Sequence, residues 1–460
     1  MLGIMKAHVL KYLTIYSYFL LVAFGLFLFF NVRPVQDDYV SLRDMASIGL
    51  AESLVNMWQQ WGGNVSVVGI SNAFLGLHVD HFYFLGLALH SVITGLLLIS
   101  TFRILHTRII GDLKVHRVLG LTPWVVFSTL ALSSFFSPGY VGIFNFTSAS
   151  TAHLWSVLLA IHGLNYCFRN GSSLIFLLPI LGFVTSNLNI TEGLFGFSLT
   201  ISALLFLTFS RIAKSRIVST KLYLFAVGQF LGLLAIIAAP GFTNRTTVVG
   251  TPDSIPDLLA RLVRVLPINI GDLIQHPGWI LGILLGAFIR PTLAIDESTK
   301  LKHWILPSAI ASGLLFVAIC FADSFAYPSW YHTLSLYIFL FPLSFLVGAC
   351  SDLKVFRFNR HVKLVKAFLV VIVFSSIFLF SRDMFMLNAR SLAWDQAAIR
   401  NVCFISDGST LGLIGPEIIY WPLNLGIEDV ETWDWIRSAY IDWVDSDSRV
   451  QDWCETKPQT

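Results

Sequence analysis

Charge is scarce in this sequence. Only 12% of its 460 residues are Asp, Glu, Lys or Arg, against about 25% in ordinary soluble domains. That shortage, with 55% hydrophobic residues, 39 Phe and 13 Trp, argues against a soluble fold and for helices that meet lipid. Cysteine is sparse too: there are five, and no CxxC motif. Cys167, Cys320 and Cys350 fall in or near apolar runs and read as packing residues. No Rossmann-type glycine fingerprint of a soluble nucleotide-sugar domain is present. The first apolar run, Tyr12 to Phe30, has no small-residue cleavage site after it, and it reads as a retained span instead of a cleaved signal.

What is present is a series of apolar runs. Taking a span as roughly twenty apolar residues, about eleven can be placed, at 12–31, 82–101, 118–136, 151–168, 172–189, 193–210, 222–239, 277–293, 304–322, 331–350 and 367–381. The expected fold is therefore an all-α polytopic membrane protein with a transmembrane domain over 1–381. Lys and Arg collect in alternate loops: Lys6 and Lys11; Arg103, Arg108, Lys114 and Arg117; Arg211, Lys214, Arg216 and Lys221; Lys354, Arg357, Arg360, Lys363 and Lys366. The positive-inside rule puts those loops and the N-terminus in the cytoplasm, and an odd span count puts the C-terminus outside an inner or plasma membrane.

The loops expected outside are longer and more acidic. The first, 32–81, begins Asn31-Val32-Arg33-Pro34-Val35-Gln36-Asp37-Asp38-Tyr39. Pro34 stops the preceding helix, because it lacks an N–H and restricts the residue before it. From Leu42 to Trp61 the apolar residues recur at helical spacing, which predicts a helix lying along the membrane surface. The fifth and sixth spans meet at Thr185-Ser186-Asn187-Leu188-Asn189-Ile190-Thr191-Glu192, a polar tip that lipid alone would leave unsatisfied. A short amphipathic helix is expected near Pro256 to Leu266, with Arg261 and Arg264. The tail, 382–460, carries thirteen acids against six bases. It reads as a small extracytoplasmic α/β domain, with a strand at Val402 to Ile405 and a Trp-rich helix at Glu428 to Val444. Cys403 and Cys454 lie in it, either as a disulfide or as two buried thiols.

Several residues could carry chemistry. Asp37 and Asp38 stand just past a span, where desolvation favours a carboxylate that accepts a proton; the plain alternative is two solvated acids. The pair could also hold a divalent cation, but nothing else at ligand spacing demands a metal or other cofactor. Arg245 follows a Pro-Gly turn and could clamp a phosphate bidentately or simply anchor an interface. Glu192 sits at the polar tip as a site candidate or a helix-start residue. His332, beside Trp330 and Tyr331, suits phosphate or belongs to an interfacial aromatic belt. Tyr39, Trp58, Trp61 and Trp330 could offer faces to sugar rings. His153 and His162 read as packing or hydrogen-bonding residues, since no third ligand is spaced to join them.

An ordered set of short motifs runs through the chain. It comprises Gln36-Asp37-Asp38-Tyr39, Trp58-Gln59-Gln60-Trp61-Gly62-Gly63 and Thr147-Ser148-Ala149-Ser150, then Asn189-Ile190-Thr191-Glu192-Gly193, Ala239-Pro240-Gly241 with Arg245, and Ala393-Trp394-Asp395-Gln396. In that order they resemble the GT-C superfamily of membrane glycosyltransferases, and more closely the bacterial O-antigen glucosyltransferases and their multi-pass relatives. Where the Trp-Gly stretch of those relatives continues into an arginine, this chain has Asn64. The resemblance implies transfer of a sugar from a polyprenyl-phosphate carrier to a glycan or lipid acceptor on the outer face, with inversion. It implies Asp37 or Asp38 as the base, and Arg245, then His332, as ligands of the donor phosphate. Two other readings stay open. One is a transporter or flippase of lipid-linked sugars, although no internal repeat is found and the polar groups collect at one face and not at the midplane. The other is a non-catalytic relative that binds an envelope polymer.

Overall fold

The computed structural model describes residues 37–78, 84–110, 147–169, 174–209, 216–249, 254–275, 295–325 and 330–350, with scattered positions in 19–34, 252, 279–283, 378–395 and 438–446. Among these residues every regular element is a helix and no strand occurs. Among the described residues, two helices are long and apolar enough to cross a membrane, over Leu85–Ile104 and Ile217–Ala238. The run expected at 118–136, all but Phe378 of that expected at 367–381, the strand expected at Val402 to Ile405, and both Cys403 and Cys454 lie outside the described residues.

The described residues fall into two compact units. One is drawn from Leu26–Leu96, Pro138–Thr251 and Asp383–Thr460, the other from Met1–Gly25, Leu97–Ser137 and Pro252–Arg382. In the first unit, α1 (Asp37–Ser47), α2 (Gly49–Asn56) and α3 (Val65–Leu75) follow the first apolar run. The continuous helix expected from Leu42 to Trp61 is broken. Gly49 takes φ 77°, a left-handed conformation open to glycine at little cost. Beyond α2, Met57–Trp61 winds as a π-helical turn, which Gly62 ends.

Next comes α4 (Leu85–Ile110), whose first half belongs to this unit. A single helical turn Thr147–Ala149, a π-helical stretch Ser150–Trp155 and α5 (Ser156–Cys167) then run on without a break. They are followed by α6 (Leu178–Asn187), α7 (Ile190–Phe209), α8 (Arg216–Ala238) and α9 (Pro240–Val249). With only 10 residues, α6 reaches about 15 Å, half the thickness of a bilayer core. It packs closely along α8 because glycine removes the side chains between them. A Cβ on Gly228 would fall on the backbone of Pro179, and one on Gly232 on Phe183 and Ser186. Cys167, Leu178, Leu204, Leu222, Phe225 and Ala226 form the apolar core where α5, α6, α7 and α8 meet. Lys221, which the sequence groups with solvated loop bases, is buried there. Its Nζ donates to the Arg169 carbonyl at 2.9 Å and lies 4.6 Å from the centre of the Tyr166 ring.

The second unit holds α10 (Ile255–Gln275), α11 (Ile295–Phe325) and α12 (Trp330–Cys350), which pack on one another. The amphipathic helix expected near Pro256 to Leu266 thus continues to Gln275, through an interior Pro267.

Candidate active site

Asp38 is the second residue of α1 and is fully buried. Its carboxylate accepts from the backbone N–H of Thr147 at 3.3 Å, from that of Ser148 at 3.2 Å, and from Ser148 Oγ at 3.2 Å. Those N–H groups open the helical run that leads into α5. The first N–H groups of a helix have no partner within it, and the helix dipole favours an anion there. Asp38 therefore caps a helix that starts 109 positions further along the chain. Asp37 is the first residue of α1.

Tyr39 follows and is fully buried. Its hydroxyl donates to the Pro34 carbonyl at 3.3 Å, and its ring lies 6.3 Å from that of Trp443, which also faces Phe84 at 6.2 Å. The faces of Tyr39 are covered by protein, because the tail brings Trp443 down on them. A second tie joins the tail to the same segment. Arg33 Nε and Nη2 donate to the two oxygens of Asp395 at 2.6 and 2.9 Å, and Ser391 Oγ donates to Asn31 Oδ1 at 3.0 Å.

The polar tip between α6 and α7 is lined by protein. Thr185, Ser186, Asn187, Thr191 and Glu192 are all buried. Asn187 spends its amide on three backbone groups: Nδ2 donates to the carbonyls of Gly63 at 2.8 Å and Gly232 at 3.2 Å, and Oδ1 accepts from Ser66 N–H at 2.9 Å. It thereby caps α3, where Asn64, the residue before the helix, makes no side-chain cap. Asn189 caps α7 by accepting from Thr191 N–H at 2.9 Å. Glu192, in the first turn of α7, meets His153 of the π-helical stretch, with 3.0 Å between Oε1 and Nδ1. The same stretch places Thr151 Oγ1 at 2.8 Å from His90 Nε2. Trp155 stacks on the His90 ring at 4.9 Å and donates from Nε1 to Thr94 Oγ1 at 2.7 Å.

The Trp58 turn meets α9. Gly241 lies so close to the backbone of Gln60 and Trp61 that a Cβ would strike both, and Asn244 Nδ2 donates to the Gln59 carbonyl at 3.4 Å. Trp61 is 49% exposed and Trp58 half-buried. Arg245 stands on α9, next to Asn244. Trp330 and His332 belong to α12 in the other unit. Among the described residues, no three His, Cys, Asp or Glu side chains gather as metal ligands would.

Comparison with known proteins adds no relative: no family model, no curated protein and no solved structure matches the chain. The grouping of motifs within one unit is thus a property of this chain read alone. The Asp-Asp-Tyr stretch joins the Thr-Ser-Ala-Ser stretch, the Trp-Gly stretch joins Pro240-Gly241, which opens α9 and is not the turn expected from the sequence, and the tail aspartate joins the segment before the Asp pair. His153, expected to pack or to hydrogen-bond, does the latter, and the sequence hides only its partner. Its partner is 39 positions away, and only a histidine aimed at an acid at the next helix start would have revealed it.

Proposed function

We propose that the chain is a polytopic membrane glycosyltransferase of GT-C type. On this reading it moves a sugar from a polyprenyl-phosphate donor to a glycan or lipid acceptor at the outer face of an inner or plasma membrane, with the N-terminus cytoplasmic and the C-terminus outside. The observation that carries the reading is the bond between Asp38 and the Thr147–Ser148 backbone. It fixes the Asp pair against the start of a buried helix, where a base must be held still to act.

The neighbouring carboxylates then divide the work. Asp38 has three donors on it, so its oxygens are already engaged by the Thr147–Ser148 segment; it positions the loop. Asp37 is the general base. It takes the proton of the acceptor hydroxyl as that oxygen attacks the anomeric carbon. The bond from that carbon to the phosphate oxygen breaks on the opposite side, its electron pair leaves with the phosphate, and the configuration inverts. Arg245 balances the charge on the departing phosphate. Trp61, half-open beside α9, and Trp58 offer faces to the sugar. Tyr39 serves the packing of the loop instead. The Glu192–His153 pair holds the polar tip beneath it.

The test is transfer from labelled polyprenyl-phosphate sugars in membrane vesicles. Asp37→Asn should lower turnover by about a hundredfold or more and leave carrier binding intact. Equal donor consumption by the variant and the parent removes Asp37 from the chemistry. Consumption of no donor by the parent itself overturns the enzyme reading and favours transport or polymer binding.

A further inference from the structure

Helix α10 presents three different sides. Val265 and Asn269 are buried toward the rest of their unit, and Asn269 Nδ2 donates to Cys320 Sγ of α11 at 3.6 Å. A second side carries Asp257, Arg261 and the exposed Arg264; Arg261 Nη2 and Asp257 Oδ2 are 3.1 Å apart. The third side is apolar and open. Ile255, Leu259, Val263, Leu266, Ile270 and Ile274 are exposed by 42% to 75%. Their spacing of three and four residues keeps them within an arc of about 100° along the whole helix.

We infer that this stripe is a membrane-surface contact, seated at the boundary between headgroups and acyl chains of an anionic bilayer. The inference deepens the membrane part of the proposed function and rests on it. Three observations favour the bilayer over a protein partner. First, the stripe runs from Ile255 to Ile274, nearly the whole of the 21-residue helix, about 30 Å, with cations on the side next to it, as in helices that lie in the interface. Second, α11, which packs on α10, exposes an apolar row of its own, Leu306, Ile310 and Val317 among it. Third, Pro267 removes the bond that would have ended on the Val263 carbonyl. Water and headgroups can satisfy that oxygen, whereas hydrocarbon cannot. The same proline and the charges at Asp257, Arg261 and Arg264 argue against α10 as a span.

The full chain, reconstituted in vesicles, tests this. A fluorescent amino acid is placed by codon suppression at Val263, at Ile270 or at Arg264. Quenching is then read with lipids brominated near the headgroup or deep in the acyl chain. Val263 and Ile270 should be quenched by the shallow bromines about twofold more than by the deep ones, and Arg264 little by either. Replacing zwitterionic lipid by phosphatidylglycerol should strengthen quenching at Val263. Deep quenching greatest at Val263 would make α10 a span and overturn the inference. No lipid quenching at either stripe position would mean that protein covers the stripe, a second copy of the chain included, and would overturn it too. Flotation of the same vesicles separates the two claims. A chain that floats but is not quenched sinks only this inference, whereas a chain that does not float sinks the membrane reading with it.

Discussion

Arg33 grips Asp395 with two parallel hydrogen bonds, of 2.6 and 2.9 Å, across 362 positions of sequence. This fork-on-carboxylate geometry is the strong form of an ion pair. It fastens the tail beside the segment that carries the Asp pair. Both side chains are only partly exposed, at 13% and 24%, so solvent weakens the pair less than a surface bridge. Arg33→Ala should lower stability by about 1–2 kcal/mol. Arg33→Lys should recover only part, because an ammonium cannot fork. A thermal-unfolding double-mutant cycle with Asp395→Asn, in detergent, measures the coupling. A coupling near zero would mean that the pair does not hold the tail.

Asp38 should behave as a cap. Asp38→Ala leaves two buried N–H groups without an acceptor and should destabilise by about 2–3 kcal/mol. Asp38→Asn keeps an acceptor oxygen and should cost about 1 kcal/mol. Unfolding in detergent gives the order. If alanine and asparagine cost the same, hydrogen bonding to Thr147 and Ser148 is not what Asp38 supplies.

Asn187 offers a sharper contrast. Asn187→Ala loses contacts with Gly63, Gly232 and Ser66 and should cost about 2–4 kcal/mol. Asn187→Asp should be worse than alanine, since it turns a second oxygen toward the carbonyls of Gly63 and Gly232. Yield of folded protein and melting temperature report both. A stable aspartate variant would show that the amide is not oriented as described.

These residues also show what could be read from sequence. The helical character was legible from apolar runs, and the separate motifs from their residue types. Their meetings were not, because nothing local in Asp38 names Thr147 as its partner. Tyr39 looked like a sugar platform beside two acids; it is covered because Trp443, far along the chain, packs on it. The surface helix expected from Leu42 to Trp61 looked continuous, since periodicity does not register a glycine that takes φ 77° at position 49. His153 reads as a packing or hydrogen-bonding residue and is the latter; its partner Glu192 leaves no trace in spacing.

Close helix packing gives a last test. Gly228→Ala would push a methyl into the backbone of Pro179. Such overpacking should cost about 1–3 kcal/mol. Gly271→Ala, where a Cβ meets nothing within 4 Å, should be neutral or slightly stabilising, by up to about 1 kcal/mol. Melting curves of the two variants compare a crowded glycine with an open one. Equal effects would mean that α6 and α8 are not in contact.

The stretch Ser150–Trp155 works as a phase shifter. A π-helical turn holds more residues than an α-helical one for the same advance, so Thr147 and Ser148 stand out of step with α5. A regular helix through the same residues would turn them by about 100° for each residue it shed. Ser148 would then no longer share a bearing with Asp38 while Thr151 met His90 and His153 met Glu192. The irregular winding lets one rod address three partners at once, and a straightened rod could not keep all three in aim.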